Sequence, residues 1–261
     1  MQKIKTFIKY IQYLVTAKDY HSAHSPFLYN FIINVINKKT KKPYYNNIEI
    51  IRNDLYKSDE SINITDFGAG SHINKAKRRK IKDIAKNSSK NKKFGELISR
   101  ISEYFKPKTT VELGTSLGIS TLYLSSPNPK ATLYTLEGCP ETLNIAKKNF
   151  AKAGIKNIVP ILGEFNYSLK PCLEKIKNVD LIFIDGNHQK KPTISYFETI
   201  LEYSNNETIF IFDDIYWSFG MQEAWSYIKS HKKTTLTIDL FHLGIVFIKK
   251  ELSKENYKIK F

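Results

Sequence analysis

The chain has 261 residues, 41% of them hydrophobic, enough for one large α/β domain with an appendage or for two small domains. Its 41 Lys+Arg against 25 Asp+Glu give a formal charge of +16, a balance that suits an anionic partner but that a general lysine and asparagine bias also produces. Two cysteines, Cys139 and Cys172, and histidines without an HExxH spacing argue against a zinc knuckle, a CxxC redox motif and a zinc hydrolase. No apolar run reaches the ~20 residues of a membrane span, and Lys3, Lys5 and Lys9 interrupt any signal-peptide core. A cytoplasmic protein is expected.

In chain order, residues 3–18 place Ile4, Phe7, Ile8, Ile11, Leu14 and Val15 on one helical stripe, with lysines opposite. Such a face packs on its own domain or a partner subunit more often than it lies on a membrane. Ser25 and Pro26 then make an N-cap and N1 pair for a second apolar helix through Phe27, Leu28, Phe31, Ile32 and Val35. His21 and His24, just before it, read as turn or capping residues, with closure over an active site as the alternative. Residues 38–62 are polar and helical in part. Ile62–Ser71 holds a glycine turn, Gly68 and Gly70, that rivals the later one as a cofactor loop. The segment behind it, Lys75–Lys93, has ten Lys/Arg in nineteen residues and no apolar helix to support a nucleotide loop. It reads as a substrate-side loop or lid whose charges are solvated more readily than they bind an anion.

From Phe94 the pattern changes. Leu97, Ile98, Ile101 and Phe105 mark a helix that Pro107 breaks, and a strand, 110–113, follows. Strands 131–136, 157–162, 179–184 and 207–212 then alternate with helices near 141–153, 166–176, 192–203 and 220–230. Strands 235–241 and 243–249 are joined so closely that they must be antiparallel. This alternation predicts a Rossmann-like, doubly wound α/β fold, with a mostly parallel seven-stranded sheet and an antiparallel C-terminal hairpin strand. Residues 1–90 are expected to be a helical cap, lid or dimerisation region, and 91–261 the ligand-binding domain.

Ligands of such sheets bind beyond the carboxyl ends of the strands, and five successive strand ends carry suitable groups. The first is the stretch TTVELGTSLGISTLY, where Glu112 precedes a turn from Gly114 to Gly118 and then a helix start. Backbone N–H groups and a helix N-terminus suit an anionic group, and the nearby acid suits a cation. The amino-acid end of S-adenosylmethionine offers both. The middle glycine of a GxGxxG fingerprint is replaced by Ser116, which argues against a nicotinamide dinucleotide. Glu137, about twenty residues on, is placed to hold ribose hydroxyls. Gly163, Glu164 and Phe165 follow the third strand, where polar and aromatic groups can flank an adenine. The fourth strand ends in Asp185-Gly186-Asn187-His188 and the fifth in Asp213-Asp214-Ile215-Tyr216-Trp217; Tyr216 and Trp217 either wall an acceptor or fill core.

The ordered set VELGTSLGIS, YTLEG, ILGEF, FIDGNH and FIFDDIYW resembles the class I S-adenosylmethionine-dependent methyltransferases. The likeness is strongest to the catechol/caffeoyl-CoA O-methyltransferase-like branch and its DGxH relatives, over residues 90–250. It implies a cofactor site of Glu112, Gly114, Ser116, Gly118, Ser120, Glu137, Gly163, Glu164, Phe165 and Asp185. It also implies a Mg²⁺ ion on Asp185, Asp213 and Asp214, three carboxylates suited to a hard cation. The branch usually carries a lysine three residues after the first of these acids. Here His188 stands there, able to act as general base near neutral pH or merely to fix Asp185, with Asp213 beside it as a catalytic group. O-methylation of a small-molecule hydroxyl is the expected activity, with a homodimer as a possible assembly. An RNA methyltransferase using the basic segment, or a non-catalytic nucleic-acid or membrane-binding module on this fold, are the alternatives.

Overall fold

The computed structural model describes residues 2–18, 25–65, 77–88 and 90–261; the expectations for His21–His24 and Asp66–Ser71 fall outside them. In chain order the first elements are α1 (Gln2–Thr16), α2 (Pro26–Phe31) continued by a π turn, α3 (Pro43–Lys57), β1 (Ser61–Asn63), β2 (Arg78–Lys80), α4 (Ile81–Ser88) and α5 (Lys92–Phe105). The alternating part follows: β3 (Thr109–Leu113), α6 (Ile119–Ser125), β4 (Thr132–Glu137), α7 (Pro140–Lys152), β5 (Ile158–Leu162), α8 (Phe165–Ile176), β6 (Val179–Ile184), α9 (Lys190–Leu201), β7 (Ser204–Asp213), α10 (Phe219–Ser230), β8 (Leu236–Asp239) and β9 (Leu243–Phe247). All seven expected strands form. An eighth, β10 (Glu255–Lys258), has a polar sequence, ENYK, and carries no apolar signal. The strands and flanking helices alternate as in a Rossmann-like α/β fold. No helix among the described residues is long and apolar enough to cross a membrane.

Two compact units divide the chain: residues 39–172 form one, and residues 1–38 with 173–261 form the other. In the continuous unit, β3, β4 and β5 pair in parallel. β3 is almost wholly buried, whereas β5 contains Pro160 and leaves Leu162 54% exposed, as suits a strand paired on one side. Asn91 caps α5, its Oδ1 accepting from Phe94 N–H at 3.1 Å. Tyr123 of α6 is buried and donates to Glu49 of α3 at 2.8 Å. The basic segment is not a bare loop over its described residues. Ile81, Ile84 and Ala85, spaced i, i+3, i+4, are buried and make a short amphipathic helix that a count of charges conceals. Lys80 and Lys82 of this segment both pair with Asp59, at 3.0 and 2.6 Å.

In the discontinuous unit, β6 and β7 are parallel, β9 is antiparallel to both β7 and β8, and β10 is parallel to β8. The closing hairpin is thus present, with β10 added beyond it. β9 is buried throughout, as are the last six residues of β7, which explains their unbroken apolar runs. The helix α1 turns its expected face outward: Phe7 is 63% and Val15 80% exposed. The inward face is aromatic instead. Tyr10 and Tyr13 pack on Phe241 at ring distances of 5.0 and 5.5 Å, and the Tyr13 hydroxyl donates to the Ile259 carbonyl. Aromatic area and a satisfied phenol outweigh the longer aliphatic stripe.

Candidate active site

In the continuous unit the turn after β3 is built by three left-handed residues, Gly114 (φ 102), Ser116 (φ 47) and Gly118 (φ 84). Two of them are glycines because that conformation costs a side chain about 1–2 kcal/mol. Ser116 accepts the cost, and its N–H donates to Glu137 Oε2 at 2.8 Å. The other oxygen of Glu137 accepts from Cys139 N–H at 2.9 Å, so this carboxylate ties together the loops after β3 and β4. Gly114 and Thr115 N–H donate to the Leu136 carbonyl, and Gly118 N–H to the Thr115 carbonyl. The turn's donors are therefore largely spent on the protein itself. The expectation that they converge freely on an anion does not hold for these four.

Glu112 is fully buried. Its Oε2 accepts from Thr121 Oγ1 at 2.5 Å and Thr135 Oγ1 at 2.6 Å, and Thr115 joins Thr135 at 2.5 Å. Its Oε1 is buried without a hydrogen-bond partner. Burial pushes the Glu112 carboxyl up to about 8, against the lowering effect of the two threonines. A carboxyl raised in the fold binds its proton more tightly folded than unfolded. Its stabilising contribution is complete below the ordinary carboxylate range and is lost as pH rises toward 8. Thermal stability of the free protein is expected to fall between about pH 5 and pH 8, and Glu112→Gln, which keeps the shape without the charge, should flatten that fall in melting curves. A wild-type slope preserved in the variant would remove the assignment to Glu112.

Ser120 is buried in the first turn of α6. Gly163 N–H donates to the Glu137 carbonyl at 2.9 Å, which sets the end of β5 beside the end of β4. Glu164 accepts from Asn166 at 2.9 Å, and Phe165, partly exposed, opens α8. The threonine network around Glu112 escaped sequence reading. A signal existed, since Thr135 interrupts an apolar strand and stands directly opposite Glu112 in the β3–β4 register.

In the discontinuous unit, single donor atoms of Asp185, His188 and Asp213 lie within 4.8 Å of one another. Asp185 follows β6 and Asp213 ends β7, so parallel pairing of the two strands brings their acids together. Asp214, the next residue, is not in that group. It takes a left-handed conformation (φ 51) and donates its N–H to the His242 carbonyl at 2.8 Å. Asn187 is likewise left-handed (φ 53), and its Nδ2 donates to Tyr196 at 3.0 Å. Non-glycine strain of this kind gathers at functional loops. Tyr216 has a structural role: it stacks on Phe241 at 4.9 Å and donates to Asp239 Oδ2 at 2.6 Å. The Trp217 ring stands 6.4 Å from that of His188 and is 38% exposed.

A family model described as a methyltransferase domain matches residues 111–215. A catechol O-methyltransferase of Niastella koreensis is 32% identical over 124 residues, 46% of this chain and 55% of that protein. The O-methyltransferase imqG of Aspergillus flavus is 29% identical over 41% of this chain and 45% of its own length. The chain thus spans about half the length of the curated relatives it matches. Among solved structures, an O-methyltransferase from Bacillus cereus in complex with SAH aligns with a TM-score of 0.56 at 16% identity, over 84% of this chain and 96% of that one. TomG from Streptomyces achromogenes, an O-methyltransferase in complex with SAM, aligns at 0.58 and 14% identity, over 85% and 95%. Residues 111–215 are therefore similar to a methyltransferase domain, and the fold is that of these solved structures.

Proposed function

We propose that the protein is an S-adenosylmethionine-dependent methyltransferase acting on the hydroxyl oxygen of a small molecule. The observation that carries this is the Glu112–turn–Glu137 arrangement, which fits the cofactor at two points. The buried, unpartnered Oε1 of Glu112 suits the cofactor's ammonium. Glu137 accepts from Ser116 and Cys139 N–H, one on each oxygen, and this carboxylate between the loops after β3 and β4 suits the ribose hydroxyls. Gly163, Glu164 and Phe165 would border the adenine. The relatives and fold neighbours named as O-methyltransferases support the same reading.

The cofactor supplies an electrophilic methyl group on a sulfonium, and the protein's work is to hold the acceptor in line, remove its proton and exclude water. The proton falls to the Asp185–His188–Asp213 cluster, where His188 can take it directly; a divalent ion, were these residues to hold one, would supply acidification of the hydroxyl. Both Asp185 and His188 retain partial exposure, as groups that meet an acceptor require. Calorimetric titration with S-adenosylmethionine, followed by a panel of catechol-like hydroxyl acceptors scored for S-adenosylhomocysteine formation, tests the reading. Absence of cofactor binding would sink it. Turnover on RNA but on no small hydroxyl would redirect it to the other acceptor class.

A further inference from the structure

The donors brought together after β6 and β7 are not the all-oxygen trio expected from the sequence. Asp185, Asp213 and Asp214 would give three carboxylates; the structure groups Asp185 and Asp213 with an imidazole. Asp214, left-handed and bonded through its N–H to the His242 carbonyl, is not in that group. Nε2 of His188 lies 3.7 Å from Asp185 Oδ1. That exceeds hydrogen-bonding distance, so the ring does not fix Asp185 by a direct bond. It is near the separation of two ligands of one ion, since metal–ligand bonds of about 2.1 Å at tetrahedral or right angles put neighbouring donors roughly 3.0–3.4 Å apart. Asp213 is 2% exposed, and a buried carboxylate close to a second one gains from a cation between them.

The geometry points to a mixed nitrogen–oxygen site on Asp185, His188 and Asp213 for a divalent transition ion of the Mn²⁺, Co²⁺ or Zn²⁺ class, with Mg²⁺ a poor occupant. The inference deepens the methyltransferase reading and rests on it for the site's purpose. Mg²⁺ takes oxygen ligands and keeps its waters, whereas imidazole draws the later first-row ions. His188 then serves as a ligand through the nitrogen that would otherwise accept the acceptor's proton.

The test is a titration of the full chain with CoCl₂, read by ligand-field absorption, with MgCl₂ as competitor. S-adenosylmethionine affinity and melting temperature are measured on the same samples. One Co²⁺ per chain is expected, undisplaced by a roughly 100-fold excess of Mg²⁺. His188→Ala should weaken Co²⁺ binding at least about tenfold and shift the absorption band, and Asp214→Asn should leave both unchanged. His188→Asp, which restores an oxygen donor, should move the preference toward Mg²⁺ and serves where the alanine variant does not fold. Failure of Co²⁺ to bind, equal competition by Mg²⁺, or loss on Asp214→Asn in place of His188→Ala would each overturn the proposal. If S-adenosylmethionine binds while Co²⁺ does not, the metal site alone falls. If Co²⁺ binds as expected and S-adenosylmethionine does not, the methyltransferase reading falls instead.

Discussion

Glu137→Ala is expected to weaken S-adenosylmethionine binding by about 100- to 10,000-fold in a calorimetric titration. Two hydrogen bonds from ribose hydroxyls to a carboxylate contribute roughly 1.5–3 kcal/mol each, and tenfold in affinity is about 1.4 kcal/mol. The substitution also strips the acceptors of Ser116 N–H and Cys139 N–H, so the turn loses what holds it in its left-handed course. Glu137→Gln retains one acceptor oxygen and should lose only about 10- to 100-fold by the same reckoning. Equal losses for the two variants would show that the shape of the turn, and not the charge on Glu137, governs the cofactor. An unaffected alanine variant would remove Glu137 from the site altogether.

Gly118→Ala should lower stability by about 2–5 kcal/mol, the sum of a left-handed backbone cost and an overpacking cost. Gly118 has φ +84, and a Cβ there would stand 2.5 Å from Phe150 Cε1 and 3.2 Å from Ala146 Cβ, both on α7. For a chain of this length the melting temperature should fall by roughly 5–15 °C. Gly154→Ala is an internal control: its φ of +69 is similarly left-handed, but nothing lies within 4 Å of the added carbon. It should cost only the backbone part, about 1–2 kcal/mol. Similar drops for the two variants would mean that packing on Phe150 does not contribute.

The regular half of the fold was legible because buried parallel strands must be apolar and each is followed by a helix with its own period. Thus Val179–Ile184 matched its expected bounds, and the other six strands formed within a few residues of theirs. The strand-end residues were legible for the same reason, since chemistry sits where strands stop. What escaped depends on three-dimensional arrangement. Pairing of β6 with β7 selected Asp213 over Asp214, and no spacing rule contains the φ of 51 that parts them. The exposed stripe of α1 follows the same logic: periodicity identified an amphipathic helix, but Phe241 chose its aromatic side. In α4 three apolar residues among many lysines were enough, because burial rewards a face and not an average.

The bond from Tyr13 to Ile259, with the backbone pairing of Lys18 beside it, joins residues 246 positions apart in sequence. During synthesis the segment bearing Tyr13 emerges well before its partner, which follows 246 positions later. The continuous unit, residues 39–172, has all its own contacts available long before then. Assembly in the cell should accordingly begin with the continuous unit, with α1 left waiting, its aromatic face available to chaperones until Phe241 and Ile259 have been made.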